Sequence, residues 1–171
     1  MELDDIKKQW ENMNIRISPS DLRRRTTSLD SLMHAYRRFA LLSVGCILCS
    51  GSFFRLIQLG AMAVSPAVVI LFIAAMAFAA AVDCYLYHSL KKIDLLSMTV
   101  SEVSASATAC RRVHLLSQLI LLPLALTVIV LFALGVNSFM RYGIIAGAAF
   151  GFIIGLNAWL KIMRTYRTLS P

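Results

Sequence analysis

Four stretches of this chain, 39–60, 66–87, 113–136 and 143–160, carry almost no charge, and each runs for about 20 residues, the length a helix needs to cross the hydrocarbon core of a bilayer. A backbone in lipid must satisfy its N–H and C=O groups internally, which restricts apolar runs of this length to helices. The chain is 58% hydrophobic and 15% charged, whereas about a quarter of the residues of a soluble domain are charged. The expected fold class is therefore an all-α membrane protein, a four-helix transmembrane bundle.

The basic residues orient it. Of 17 Lys and Arg, 8 lie in 1–38, 4 in 88–112 and 3 in 161–171, leaving Arg55 and Arg141 for the opposite side. Segments facing the cytoplasm are enriched in this way, so both termini are expected inside. This bias and the attraction of anionic headgroups account for the net charge of +8 without nucleic acid as a partner. Arg23, Arg24, Arg25, Arg37 and Arg38, with Arg55 at the outer end, are expected to contact lipid headgroups. The chain opens Met1-Glu2-Leu3-Asp4-Asp5, acidic where a secretory signal would be basic, so no cleavable signal is expected.

Leu3, Ile6, Trp10 and Met13 recur at helical spacing and predict a short amphipathic helix over 1–17. Ser18-Pro19-Ser20-Asp21 starts a second helix. Leu22, Thr26, Leu29, Met33, Tyr36 and Ala40 then carry a stripe through 18–38 into the first span, giving a helix of roughly 60 Å. Thr99-Val100-Ser101-Glu102 fits a capping box, and Val100, Val103, Ala107 and Cys110 continue towards the third span. Leu86, Leu90 and Ile93 extend the second span, so 88–112 reads as a helical hairpin in the cytoplasm. The outer connections, Ala61–Ser65 and Asn137–Arg141, are short, 161–171 forms a cytoplasmic tail, and Pro123 should kink the third span.

The opening Met1–Trp10, the segment Leu90–Val103 and the four-span layout resemble a group of uncharacterised small bacterial inner-membrane proteins whose chains begin MEL(D/E)(D/E)(L/I)K. Members have no known reaction, and some are found near genes for extracytoplasmic-function sigma factors. The resemblance implies the bacterial inner membrane and a regulatory or envelope role, and carries over no functional residue.

Gly143, Gly147, Gly151 and Gly155 repeat every four residues, a glycine zipper whose groove admits another helix closely. A neighbour in the same chain is the favoured occupant and a second protomer the other. Ser43, Asp83, Gln118 and Asn157 each lie just inside the cytoplasmic end of a span and are expected to form one polar layer. We read it as register-setting hydrogen bonds, with a proton or ion relay as the functional alternative. Cys84, His88, Cys110 and His114 have the chemistry of a zinc site, but Cys84 and His88 fall opposite Leu86, Leu90 and Ile93 on the helix, which argues against it. Cys46 and Cys49 form CxxC inside an apolar helix and read as small packing residues.

No HExxH, GxSxG or paired intramembrane carboxylates occur, so no enzyme, metal or cofactor is expected. The leading expectation is a regulatory or scaffolding membrane protein that presents a cytoplasmic helical stalk to a protein partner. The alternative is a small oligomeric transporter or channel assembled through the glycine face.

Overall fold

The computed structural model describes residues 19–60, 62–95 and 98–169, with side chains from Leu22 onward. The amphipathic segment 1–17 and the cap at Ser18 lie outside the described residues. Four helices follow in order: α1 (Pro19–Gln58), α2 (Pro66–Lys91), α3 (Val100–Leu134) and α4 (Ser138–Leu169). Each is long and apolar enough to cross a membrane. They form a ring in which α1 packs on α2, α2 on α3, α3 on α4 and α4 on α1, with no backbone approach across either diagonal among the described residues. The result is an up-down-up-down bundle. Residues 22–38, 86–95, 98–114 and 161–169 share one end, rich in Arg and Lys, while 59–60, 62–65 and 135–137 close the other. These are called the basic end and the turn end below.

α1 is continuous over 40 residues, as the stripe predicts. Its buried positions at the basic end are Leu29, Leu32 and Tyr36, while Thr26 is exposed and donates its hydroxyl to the Leu22 carbonyl. The capping box at α3 is complete: Glu102 N–H donates to Thr99 Oγ1, and Thr99 N–H donates to Glu102 Oε2 at 2.8 Å. α3 then runs through Pro123 to Leu134 as one helix. Ser65 caps α2, whose first residue, Pro66, has no N–H to lose.

The second outer turn is shorter than predicted. α4 begins at Ser138, so residues 138–141 form its first turn. Asn137 acts as the cap: its Oδ1 accepts from Met140 N–H at 3.0 Å. Arg141, although exposed, folds back on α3, donating from Nε to the Ala133 carbonyl at 2.9 Å and so satisfying the end of that helix.

The buried residues form two separate clusters. The larger, at the basic end, draws on all four helices: Leu29, Leu32 and Tyr36; Leu86, Leu90 and Ile93; Val103, Ala107 and Cys110; Ile162, Met163, Tyr166 and Leu169. The smaller, at the turn end, contains Val64, Val69, Val128, Phe132 and Val136, with Phe53 and Phe72 packed against it. There Phe53 and Phe132 lie 5.4 Å apart and Phe72 closes the triangle. Ala63 N–H donates to the Gly135 carbonyl at 2.9 Å, joining the two outer connections.

The glycine groove is not filled from within the chain. Gly143, Gly147, Gly151 and Gly155 are exposed, and a Cβ at any of them would meet nothing within 4 Å. The favoured neighbour in the same chain is thereby corrected: α4 packs chiefly through Ile162, Met163, Tyr166 and Leu169, below the groove. Gly135 is the opposite case, since a Cβ there would sit 2.5 Å from Val64 Cγ2. Gly135→Ala should therefore cost about 1–3 kcal/mol through overpacking, whereas Gly151→Ala should be neutral or stabilising by up to about 1 kcal/mol. Thermal unfolding in detergent of the two variants beside the parent checks this.

Candidate functional site

The polar and aromatic groups that converge most closely lie where the basic-end cluster meets the apolar runs. Tyr36 comes from α1 and Tyr166 from α4, both fully buried, and their hydroxyls are 3.0 Å apart. His114 of α3, 4% exposed, sets its ring edge-on to Tyr36 at a centroid distance of 5.7 Å. This aromatic contact spans the ring of helices diagonally. Tyr36, Tyr166 and His114 thus bring α1, α4 and α3 together at the node, while Asp83 of α2 is half-buried.

Periodicity places each group. Leu29, Leu32 and Tyr36 step by three and four along α1, and Val103, Ala107, Cys110, His114 and Ser117 do so along α3, so both series face inward. In α4, Met163, Tyr166 and Leu169 continue the pattern beyond the last apolar run. That spacing was available in the sequence as the signal for Tyr166. His114 and Cys110 sit among the buried residues, while Cys84 and His88 are exposed, so the four zinc-type ligands diverge as the helical wheel argues. His114 Nε2 and Arg111 Nε are buried without a hydrogen-bond partner.

The predicted polar layer is spread rather than joined. Ser43 is buried, Asp83 and Gln118 are half-buried and Asn157 is exposed, and among the described residues no hydrogen bond links any two of them. Two buried serines bond locally instead: Ser50 donates to the Cys46 carbonyl and Ser117 to the His114 carbonyl, each at 2.8 Å. Of the arginines expected at headgroups, Arg23, Arg24, Arg37, Arg38 and Arg55 are exposed and Arg25 is half-buried.

Electrostatics at the basic end follow from burial. It pushes the Tyr36 and Tyr166 phenols above the ordinary tyrosine range, which keeps both neutral hydrogen-bonding groups at any physiological pH. Burial likewise raises the Cys110 thiol, leaving it protonated. Glu102 shifts the other way, held below the usual carboxylate range by the Thr99 backbone N–H. The phenol pair ties the first and last helices together through neutral groups.

The fold defines the class: an integral membrane four-helix bundle. Compared with family models, curated proteins and solved structures, the chain matches none.

Two outcomes test these contacts. Tyr36→Phe removes a hydroxyl shared with a buried partner and should cost about 1–3 kcal/mol, while adding Tyr166→Phe should restore part of that loss. A double-mutant cycle on unfolding in detergent reads the coupling. Glu102 has a depressed folded pKa, so its contribution is present above the unfolded value and is lost as pH falls through the folded one. Glu102→Gln, which keeps the reach back to Thr99 without titrating, should flatten that acid-side loss of melting temperature.

Proposed function

We propose that this chain is a non-enzymatic regulatory or scaffolding protein of the bacterial inner membrane that presents its basic end to a protein partner in the cytoplasm. The observation that carries the reading is the distribution of packing. The largest buried cluster lies at the basic end and includes residues of all four helices. A platform of this kind holds its surface in one shape, which a partner can recognise without ordering it first. The positive-inside rule supports the orientation, and the resemblance to proteins found near sigma-factor genes supports a regulatory role. The turn end offers little by comparison, because only short connections lie there. The amphipathic stripe of Leu3, Ile6, Trp10 and Met13 is the segment through which we expect the partner to be held.

A second reading is favoured by one observation, the outward-facing glycines of α4. Two copies inserted in the same orientation set these grooves parallel, the arrangement in which GxxxG helices pair. On that reading the protein is a small oligomeric transporter or channel.

One experiment separates them. Full-length protein and a variant lacking residues 1–17 are purified in detergent, their oligomeric state is measured, and both are tested for ion flux in liposomes. A monomer without flux that retains a protein only when residues 1–17 are present is the expected result. A closed oligomer whose flux is lost in Asp83→Asn, with no protein dependent on residues 1–17, would replace the first reading with the second.

A further inference from the structure

Between the two buried clusters the interior changes character. In residues 40–52 of α1, 74–81 of α2, 115–127 of α3 and 145–158 of α4, the buried side chains are all small: Ser43, Ser50, Ala75 and Ser117. Within these segments α4 has no buried residue. The aromatic contacts set the levels. Tyr36 lies beside His114 and Phe53 beside Phe132, so Gly45 of α1 runs level with Pro123 of α3. Tyr36 meets Tyr166 in the antiparallel α4, which brings Gly151 level with Gly51. At these levels the segments overlap over about six residues, near 44–49 of α1, 122–127 of α3 and 153–158 of α4, so a belt about 9 Å deep at the rise of an α-helix crosses the middle of the bundle.

The backbone is weakened at that belt in α1, α3 and α4. Pro123 has no N–H for the Leu119 carbonyl and crowds the preceding turn. Thr127 donates its hydroxyl to the Pro123 carbonyl and Ser50 to the Cys46 carbonyl, a back-bonding pattern that bends helices. A Cβ at Gly45 or Gly155 would meet nothing within 4 Å, so packing within the chain does not require glycine there. Each nevertheless gives up about 1 kcal/mol of helix propensity relative to alanine. What glycine provides is backbone freedom.

We propose that the bundle is two rigid bodies joined by this bending belt, so that the turn-end body tilts against the basic-end body about the level of Gly45, Pro123 and Gly155. The bodies are the two buried clusters, each closed by a contact across the diagonal: Tyr36 with His114 at one end and Phe53 with Phe132 at the other. The fully buried side chains between the clusters are small, so bending there asks little repacking of the interior. The inference concerns mechanics and stands whichever of the two functional readings holds.

Double electron–electron resonance on full-length protein in lipid nanodiscs tests it, with spin labels carried on unnatural amino acids so that the native cysteines remain. Pairs at exposed positions report the basic-end body (Arg37 and Arg112), the turn-end body (Leu59 and Asn137) and the span between them (Arg112 and Leu59). The distance distribution across the belt should be about twofold broader than either within-body distribution, as expected of a hinge between packed units. Pro123→Ala and Gly155→Ala should each narrow it, and Gly155→Ala places its methyl in open space, so it tests the hinge without threatening the fold. A cross-belt distribution as narrow as those within the bodies, or one whose width neither substitution changes, would overturn the proposal.

Discussion

Apolar burial stabilises a contact only where the alternative is water. In a bilayer a leucine facing lipid and a leucine facing another helix are solvated almost equally well, so hydrophobic attraction between spans is nearly absent. Beyond the bilayer the same side chain gains about 1.5–3 kcal/mol on burial. This difference explains why the chain concentrates its large buried residues where the helices outrun the apolar stretches. Leu32, Tyr36, Leu86, Leu90, Tyr166 and Leu169 are all fully buried at the basic end. Leu41, Leu42, Leu48, Leu119 and Leu126, in the apolar stretches, are exposed to what would be lipid.

The turn end is held by other means. Short connections bring the helices together, and polar backbone groups near lipid have to find partners. Ala63 supplies one to Gly135, and Arg141 and Asn137 supply others at the ends of α3 and α4. Phenylalanines from three helices fill the space between them. With both ends secured, the middle of the bundle is free to use serine, alanine and glycine. The glycines of α4 then face outward, available to lipid or to a second copy.

Much of this fold was legible in the sequence because the signals are local. The apolar runs, the stripe of Leu29 and Tyr36, the Leu86, Leu90 and Ile93 series and the Thr99–Glu102 box depend on spacing alone, and each lies where spacing puts it. Leu32 was not in the predicted stripe, since a strict heptad step passes from Leu29 to Met33 and a straight helix drifts away from that repeat. The Asn137 cap was hidden in what reads as a turn reaching Arg141, because spacing does not show that Arg141 bends back to cap α3. The site was less legible. Sequence spacing assigns Ser43, Asp83, Gln118 and Asn157 the same depth but not the same side of their helices, and Asn157 faces outward. The pairing of Tyr36 with Tyr166, 130 positions apart, depends on how the ring closes, which no local pattern encodes.

The account rests on the basic end as the place where the bundle is held together. Equilibrium unfolding in mixed detergent micelles of Leu90→Ala and Leu121→Ala tests this most directly, since the first removes a fully buried leucine of the basic-end cluster and the second a half-buried one from the middle belt. Leu90→Ala should cost about 2–5 kcal/mol and Leu121→Ala less than about 1 kcal/mol. Equal losses, or a larger loss at Leu121, would show that the membrane-level contacts carry the stability and would contradict the account.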